Sequence, residues 1–468
     1  MSLPRLYLTL LALAAFAAAT PTGAQSLNAW ALKPYRIHAL VAVDTMTTDS
    51  AAFGEAIQDF LYQRTNSAIG PQWDLRVTIA PVARREEVRR VASGRSDDID
   101  QLPGLEETPD KTFLFAVQED VRGIRVAVRE LDHTLRRLSL PLAAPVASLD
   151  QAPESVFQLA CDAFSPLAVF RLDPENRQRV LLDFRAAELP IRADAPDWVR
   201  EGDVFVPVLR RAERDGTIAE DGVRPVPWTY VRLTEVGEQT AGQFVSHTRV
   251  PIAGRRRGRV DYLAIRLPRE TSPITLRAHA RDREDKPLAG YQVYTQDGDA
   301  ERVYAGATGP DGRLTIPPGK DRILMAFIKS GTQLVAKLPV VPGAEREMSV
   351  PLLDESVRLE AEAKLGILRE DLIDLVAQRK LTIARIDAAI DEKDLGQAAK
   401  LINQLERLPG RALFDRQIRQ LEQQSRSDVP MVQQRIDRIF SDTRIVLAAF
   451  LSPREIQEVK LRLSEAQK

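Results

Sequence analysis

The densest positive charge in the chain lies in the segment 255–259, which contains Arg255, Arg256, Arg257 and Arg259. Guanidinium groups bind carboxylates and phosphates through paired hydrogen bonds, so this spacing suits an acidic polymer or an anionic envelope surface. A hairpin tip that simply stays in water explains the same pattern. Aromatic residues of the kind that stack on bases do not alternate with these arginines, so we do not expect nucleic acid as a partner.

Common catalytic motifs are missing from the sequence. The four histidines lie far apart, and none belongs to a His-Glu-x-x-His zinc helix. The Gly-x-Ser-x-Gly, Ser-x-x-Lys, Walker and Rossmann glycine patterns do not occur either. Because the chain has 66 aspartates and glutamates, the sequence spacing of two acids does not indicate a glycosidase pair. The sequence therefore assigns no catalytic residue, no metal ligand and no cofactor.

The first residues predict export. Arg5 precedes an apolar run from Leu6 to Ala19, and the small residues of the segment 22–24 follow it. These are the charged, apolar and cleavage regions of a secretory signal peptide. The run is too short to span a bilayer and no similar run follows, so we expect no transmembrane segment. We predict a signal peptide over 1–24 and a mature chain from Gln25 that is exported and soluble, either periplasmic or secreted.

Length and composition predict several ordinary globular domains. A chain of 468 residues is long for one core, and 44% hydrophobic with 28% charged residues is typical of folded protein. Lys+Arg 65 against Asp+Glu 66 gives a net charge of −1, and removing Arg5 with the signal peptide makes it −2. This balance gives no overall attraction to nucleic acid or anionic lipid. The single cysteine, Cys161, lies in an apolar helical pattern, so we expect a buried, unreactive thiol.

Two domains are predicted before residue 271. Residues 35–172 alternate strand-like runs with helical patterns, which predicts a small α+β domain, an α/β sandwich of one sheet and packed helices. Residues 177–270 contain short β-rich runs separated by Pro, Gly and Asp, as expected of a small β-barrel. Trp198 and Trp228 fall in this second region, where they either line a ligand groove or pack in the core.

Residues 272–352 carry a series of turn motifs. A strand from Ile274 is followed by a charged turn, Pro-Leu-x-Gly at 287–290, Thr-x-x-Asp-Gly at 308–312 and Pro-x-Gly at 317–319. This order resembles the carboxypeptidase regulatory-like, transthyretin-like β-sandwich. The resemblance implies a spacer, folding partner or adhesion module and brings no catalytic residue. We expect Gly312 and Gly319 to adopt positive φ in their turns.

The composition changes at Asp354. Gly and Pro become rare and apolar residues follow helical spacing, with breaks near Asp394 and Pro409. We predict a helical domain of five helices over 354–468, the first from Glu355 to Asp391. Four leucines mark one face of this first helix: Leu365, Leu368, Leu372 and Leu375. In a closed bundle they pack inside, whereas in an open array or coiled-coil tail they bind a partner or make a homo-oligomer.

This multidomain α+β organisation favours a non-enzymatic function. An α/β sandwich, a barrel, a transthyretin-like sandwich and a helical bundle or coiled-coil tail together suggest a scaffold or interaction protein of the cell envelope. Its partner would be an envelope protein or an acidic polymer. The alternative is a hydrolase of envelope polymers, with its site in or beside the N-terminal α+β domain. A deep pocket with convergent carboxylates and shifted pKa values would favour the hydrolase, and a large apolar surface on the tail would favour the scaffold.

Overall fold

The computed structural model describes residues 29–99, 109–213, 217–237, 239–249, 251–252 and 259–467. The predicted signal peptide over 1–24 and the arginines at 255–257 lie outside the described residues. The structure is mixed α+β and forms four units in chain order: a sheet with helices, a barrel, a pair of sheets and a group of helices. Within the described ranges, no helix has both the length and the apolar content needed to cross a bilayer.

The first unit is a mixed sheet with helices on both faces. Its elements are β1 (Tyr35–Asp44), α1 (Ser50–Ala68), β2 (Trp73–Ile79), α2 (Val82–Ala92), β3 (Lys111–Asp120), β4 (Gly123–Asp132), β5 (Arg137–Leu138), β6 (Leu142–Val146) and α3 (Ala152–Ala163). β1 pairs in parallel with β2 and β3, while β4 runs antiparallel to β3, β5 and β6. α1 and α3 cover one face and α2 covers the other. β1 and β3 are nearly continuous apolar runs because both faces are covered.

The second unit is a closed barrel. Its strands are β7 (Leu167–Leu172), β8 (Arg179–Phe184), β9 (Val204–Ala212), β10 (Ile218–Pro225), β11 (Thr229–Glu235), β12 (Thr240–Ser246) and β13 (Arg259–Arg266). Six of them form a ring in the order β9-β11-β12-β8-β7-β13, which closes because β13 pairs with β9, and β10 lies outside the ring on β9. The sequence does not predict β7 as a barrel strand, and it does not predict β10, whose polar residues show no alternation.

The third unit consists of two four-stranded sheets. One contains β14 (Ile274–Ala280), β15 (Arg283–Pro287), β18 (Arg313–Ile316) and β21 (Glu347–Leu352). The other contains β16 (Gln292–Asp297), β17 (Val303–Ala307), β19 (Leu324–Ser330) and β20 (Gln333–Val340). Buried side chains from both sheets, such as Leu276 and Ile328, belong to one hydrophobic cluster. The two sheets therefore share a core.

The two turn glycines of the third unit have different roles. Gly312 has a φ of +74°, as predicted, and a Cβ at this position would lie 2.3 Å from the carbonyl oxygen of Ala278. Gly319 does not adopt a positive φ, so that prediction is wrong. Space is the constraint at Gly319, because a Cβ there would lie 2.5 Å from Cδ2 of Leu324.

The fourth unit contains the five predicted helices. They are α4 (Ser356–Asp391), α5 (Leu395–Arg407), α6 (Arg411–Gln424), α7 (Pro430–Phe450) and α8 (Arg454–Ala466). The first half of α4 packs against α6 and α7, and its second half packs against α5 and α8. α4 has 36 residues, so at 1.5 Å per residue it is about 54 Å long.

The four leucines that mark one face of α4 lie in the interior. Leu365, Leu368, Leu372 and Leu375 are each at most 8% exposed and share a core with Phe414 on α6 and Phe440 on α7. The closed-bundle interpretation is correct for this face. The four leucines are therefore not available as a partner-binding or oligomerisation surface, since α6 and α7 already cover them.

Buried polar contacts fix the fourth unit to the third. Arg358, which is 1% exposed, donates to Glu355 through Nε at 3.0 Å and to the hydroxyl of Ser330 at 3.0 Å. The backbone N–H of Glu355 donates to the hydroxyl of Tyr291, which donates to the carbonyl oxygen of Leu353 at 3.1 Å. Because a fully satisfied buried network allows few alternatives, the base of α4 is held in one orientation.

Candidate functional site

A cavity of about 780 Å³ lies where the first three units meet, and we call it the junction cavity. β4 and β5 of the first unit form one wall, barrel residues from β9 to β11 form the second, and the loop between β20 and β21 forms the third. This volume falls within the range of small-molecule sites. Such a cavity depends on the assembly of all three units, because no single unit supplies more than one wall.

A second cavity of about 580 Å³ adjoins the junction cavity. Five residues line both: Arg136, Arg137, Leu138, Val206 and Pro225. The second cavity continues along β10 past residues 221–224. We call the two cavities together the junction groove, which is elongated and follows β5 and β10.

Three polar side chains in the junction cavity come from three different units. Arg137 lies on β5, Tyr230 on β11, and Glu345 in the loop between β20 and β21. Burial raises the pKa of Tyr230 well above its ordinary value, with Glu345 adding to the rise and Arg137 opposing it. Desolvation in the cavity also raises the pKa of Glu345, and the positive charge of Arg137 opposes that rise. The charge of Arg137 therefore acts on both Tyr230 and Glu345.

Two of these three groups, Arg137 and Tyr230, have hydrogen-bond donors that no described residue engages. Within the described part of the chain, neither the hydroxyl of Tyr230 nor the guanidinium of Arg137 has a hydrogen-bond partner, although Tyr230 is only 6% exposed. Buried donors normally have acceptors, because an unsatisfied buried donor costs about 1–3 kcal/mol. The hydroxyl and the guanidinium are therefore the donors best placed to receive a ligand.

Most other charged side chains of the junction cavity are already engaged. Asp97 accepts from Arg129 at 2.6 Å, and Glu347 accepts from Arg313 at 2.7 Å. Arg129 also donates to the backbone carbonyl of Ser139 at 2.7 Å. These pairs satisfy one another, so they build the walls of the cavity and leave Arg137 and Glu345 to face its interior.

Two residues that line the junction cavity have strained backbone conformations. Arg136 has a φ of +50° and Trp228 a φ of +44°. Residues with a bulky side chain rarely adopt this region, at a cost of about 1–3 kcal/mol, and such strain concentrates at functional sites. The indole of Trp228 is half-buried and meets the ring of His247 edge-on, with centroids 5.1 Å apart. Trp228 both lines this cavity and packs against the core of the third unit.

Trp198 packs in a core, which is the second of the two interpretations given for the tryptophans. Its ring stacks on Trp73 with centroids 5.3 Å apart, and its Nε1 donates to Oε1 of Gln72 at 2.8 Å. This contact joins the barrel unit to the start of β2, so Trp198 fixes the arrangement of two units that form the junction cavity.

A buried charge cluster lies close to Arg137 in the first unit. Nζ of Lys111 donates to Glu130 at 2.5 Å and to Asp132 at 2.7 Å, and all three side chains are at most 2% exposed. Burial raises the pKa of Glu130. Burial lowers the pKa of Arg137, and the negative charges of Glu130 and Asp132 oppose that shift. Full burial makes the cluster structural. Its sequence signal is weak: charged residues at the ends of two otherwise apolar strands.

The remaining residues that the sequence suggests for binding or chemistry do not come together in a site within the described part of the chain. Arg259 begins β13, opposite Ala212, while the other three arginines of that cluster lie outside the described residues. Cys161 is buried, as predicted, and burial raises the pKa of its thiol to about 12. Among the residues that the structure describes, no three histidine, cysteine, aspartate or glutamate side chains come together as a metal-binding group.

Comparisons with known proteins identify no relatives that bear on function. No family model matches the chain, and no curated protein matches it significantly. The crystal structure of TolB from Acinetobacter baumannii aligns with 67% of this chain and 84% of that chain, at 10% identity and a TM-score of 0.17. A TM-score this low does not establish a common fold, so the functional proposal rests on the geometry alone.

Proposed function

We propose that this protein is an exported, non-enzymatic scaffold or interaction protein of the cell envelope that binds an acidic partner in the junction groove. The observation that carries the proposal is the convergence of Arg137, Tyr230 and Glu345 from three units on one cavity, with the donors of Arg137 and Tyr230 unengaged among the described residues. A guanidinium and a hydroxyl that line the same cavity suit a carboxylate. A ligand bound there touches all three units.

Binding fits these groups better than catalysis. A raised pKa keeps Tyr230 protonated at neutral pH, and an arginine does not lose its proton in proteins. Neither group therefore exchanges a proton near neutral pH, as an acid or base catalyst must. The carboxylates of Asp97 and Glu347 are held by arginines. The cavity thus offers fixed donors for recognition.

The rigid connection between units supports a scaffold role. Arg185 at the end of β8 donates to Asp110 of the first unit, and Arg322 of the third unit donates to the carbonyl of Arg269 beside the barrel at 3.1 Å. The network around Arg358 anchors α4 to the third unit. The helices also expose single apolar side chains, among them Ile445 and Phe450.

We also propose that residues 272–352 are a transthyretin-like module. Two observations support this: the shared core of two four-stranded sheets, and the positive φ of Gly312 in the predicted turn. A module of this kind is consistent with a spacer that presents the loop of Glu345 to the junction cavity.

The export proposal has a direct test. The protein recovered from its native host should begin at or near Gln25, as determined by N-terminal sequencing. Recovery of the intact chain from Met1 in a cytosolic fraction would overturn both the export and the envelope role.

The partner proposal is tested with the mature protein immobilised and exposed to an envelope extract from its host. We expect an acidic component to be retained by the wild type and lost from the double variant Arg137→Gln/Tyr230→Phe. Arg438→Gln, an exposed change on α7, is the matched control and should retain the component. Equal retention by the double variant would refute binding at the junction groove.

One observation favours the alternative of an envelope-polymer hydrolase. The raised pKa of Glu345 is what a general acid needs, and the junction cavity lies beside the N-terminal α+β unit. Release of reducing ends from an acidic polymer by the wild type, abolished in Glu345→Gln, would support the hydrolase and reject the non-enzymatic proposal.

A further inference from the structure

We infer that the ligand of the junction groove is a carboxylate-bearing glycan, an acidic polysaccharide chain recognised through its carboxylates and hydroxyls together. This inference rests on the proposed function, since it names the chemistry of the partner at the same site. It follows from four properties of the groove: its charge balance, its acceptors, its aromatic wall and its length.

The charge balance favours a sparsely charged anion. Four arginines and three acids line the junction cavity: Arg129, Arg136, Arg137, Arg346, Asp97, Glu345 and Glu347. Asp97 and Glu347 are neutralised by arginines, and in the second cavity Arg224 lies 3.6 Å from Asp221. Among the lining residues, Arg136, Arg137 and Arg346 remain, with Glu345 as the remaining acid, so the cavity has an excess of positive charge. A nucleic acid strand, with one phosphate per about 3.4 Å, would place phosphates against the carboxylate of Glu345, whereas a polyuronate carries one carboxylate per sugar, with hydroxyls between the carboxylates.

The acceptors of the groove favour a ligand that is also rich in hydroxyls. Glu345 is an exposed carboxylate in the cavity wall, and it would repel a ligand that carried only acceptors. A sugar hydroxyl donates to such a carboxylate, while the neighbouring sugar carboxylate accepts from Arg137 and Tyr230. A glycan with both groups therefore satisfies all three side chains. Its carboxylate accepts from the donors of the site, and its hydroxyl donates to the acceptor of the site.

The aromatic wall favours a ring with an apolar face. Trp228 lines the junction cavity in a strained conformation that the fold maintains. His247 meets it edge-on. The face of a pyranose ring presents C–H groups, which pack against an indole and bury apolar area on both sides. Trp228 is thus suited to hold one sugar ring while Arg137 binds its carboxylate.

The length of the groove favours a chain over a single ring. The two cavities share five lining residues, so a ligand in one continues into the other along β5 and β10. Among the described strands, β10 pairs only with β9, which leaves its outer edge beside the groove. An acidic peptide that adds as a strand to this edge is the competing occupant. It would use backbone hydrogen bonds and would leave Trp228 and Glu345 without a role.

The test measures binding by titration calorimetry of the mature full chain with three probes: a linear trimer of galacturonic acid, the neutral trimer of galactose, and a hexaglutamate peptide. We expect the galacturonate trimer to bind with a stoichiometry of one, and the neutral trimer to bind at least about tenfold more weakly, because it lacks the charge-assisted hydrogen bonds. Arg137→Gln should weaken the binding of the galacturonate trimer by about tenfold, and Tyr230→Phe should weaken it by about threefold. Arg438→Gln should leave the affinity for this trimer unchanged.

Each other outcome overturns the inference. Equal affinity for the acidic and neutral trimers would remove the carboxylate from recognition. Binding of hexaglutamate without the glycan would reject the glycan and leave the proposed function standing with a protein partner. If no probe binds while an envelope component is still retained through Arg137, the glycan class is again rejected and the proposed function stands. If Arg137→Gln does not fold, the variants Tyr230→Phe and Glu345→Gln test the site instead. Unchanged affinity for the galacturonate trimer in both variants would reject the junction groove as the binding site.

Discussion

Arg346 donates through Nη2 to the backbone carbonyl oxygen of Gly94 at 2.9 Å and so ties the third unit to the end of α2 in the first unit. The loop that carries Arg346 also carries Glu345, and both line the junction cavity. This hydrogen bond therefore holds the third wall of the cavity against the first. The carbonyl of Gly94 is reachable because this residue has a φ of +71°, which ends the helix sharply.

Gly94→Ala should destabilise the protein and loosen the junction. A Cβ at Gly94 would lie 2.3 Å from Nη2 of Arg346 and 2.6 Å from Cγ of Pro141, in a backbone region that disfavours alanine. We expect a loss of about 1–3 kcal/mol in the free energy of unfolding, measured with urea. Gly366→Ala, in open space on α4, is the control and should be stabilising by about 0.5–1 kcal/mol. A neutral Gly94→Ala would contradict the cost assigned to the positive φ and to the close approach of Pro141 and Arg346.

Lys111→Met should cost about 3–5 kcal/mol of unfolding free energy, because it leaves the carboxylates of Glu130 and Asp132 buried without their cation. Equilibrium denaturation at neutral pH measures the loss. Lys364→Met removes an exposed lysine paired with Glu360 and should change stability by less than about 0.5 kcal/mol. A cost below about 1 kcal/mol for Lys111→Met would mean that water reaches the cluster.

The double change Leu368→Asp/Leu372→Asp should unfold the first half of the helical unit. Both leucines are at most 8% exposed, and two unpaired charges in that core cost several kcal/mol. Circular dichroism should record a loss of helix, and light scattering should record the molecular mass of the same sample. Ile373→Asp is the matched control on the same helix, since Ile373 is 66% exposed and should tolerate a charge. Retained helix with lost association would instead support the open array.

Stability should fall on acidification because of His133. Burial lowers the pKa of His133, whose ring lies 2.9 Å from the hydroxyl of Thr112 through Nε2. The unfolded chain therefore binds the proton more readily than the folded one, so the unfolding free energy decreases as the pH drops below about 6.5. His133→Asn should flatten this part of the stability profile between about pH 7.5 and 5.5. Parallel profiles for wild type and His133→Asn would contradict the assignment.

Local periodicity was enough to predict the helices of the fourth unit and most barrel strands. The sequence predicts a helix from Glu355 to Asp391, and α4 spans Ser356–Asp391, because apolar spacing and helix breaks are properties of neighbouring residues. β10 was not predicted, since polar residues outside the ring carry no alternation. The residues of β7 fall within the predicted domain 35–172 and no strand is predicted for them, because the pairing of β7 with β13 joins residues far apart in the chain.

The sequence by itself determined the positions of most helices and strands, the burial of Cys161 and the turn at Gly312. All three follow from local apolar patterns and backbone preferences. Only the tertiary structure decided the candidate site. Arg137, Tyr230 and Glu345 are unremarkable in the sequence, and they meet because three units pack against one another. Packing also decided that Leu368 faces α6 and α7 and not a partner. A residue's spacing selects its helix or strand, whereas its neighbours across the chain depend on how whole apolar faces are buried together.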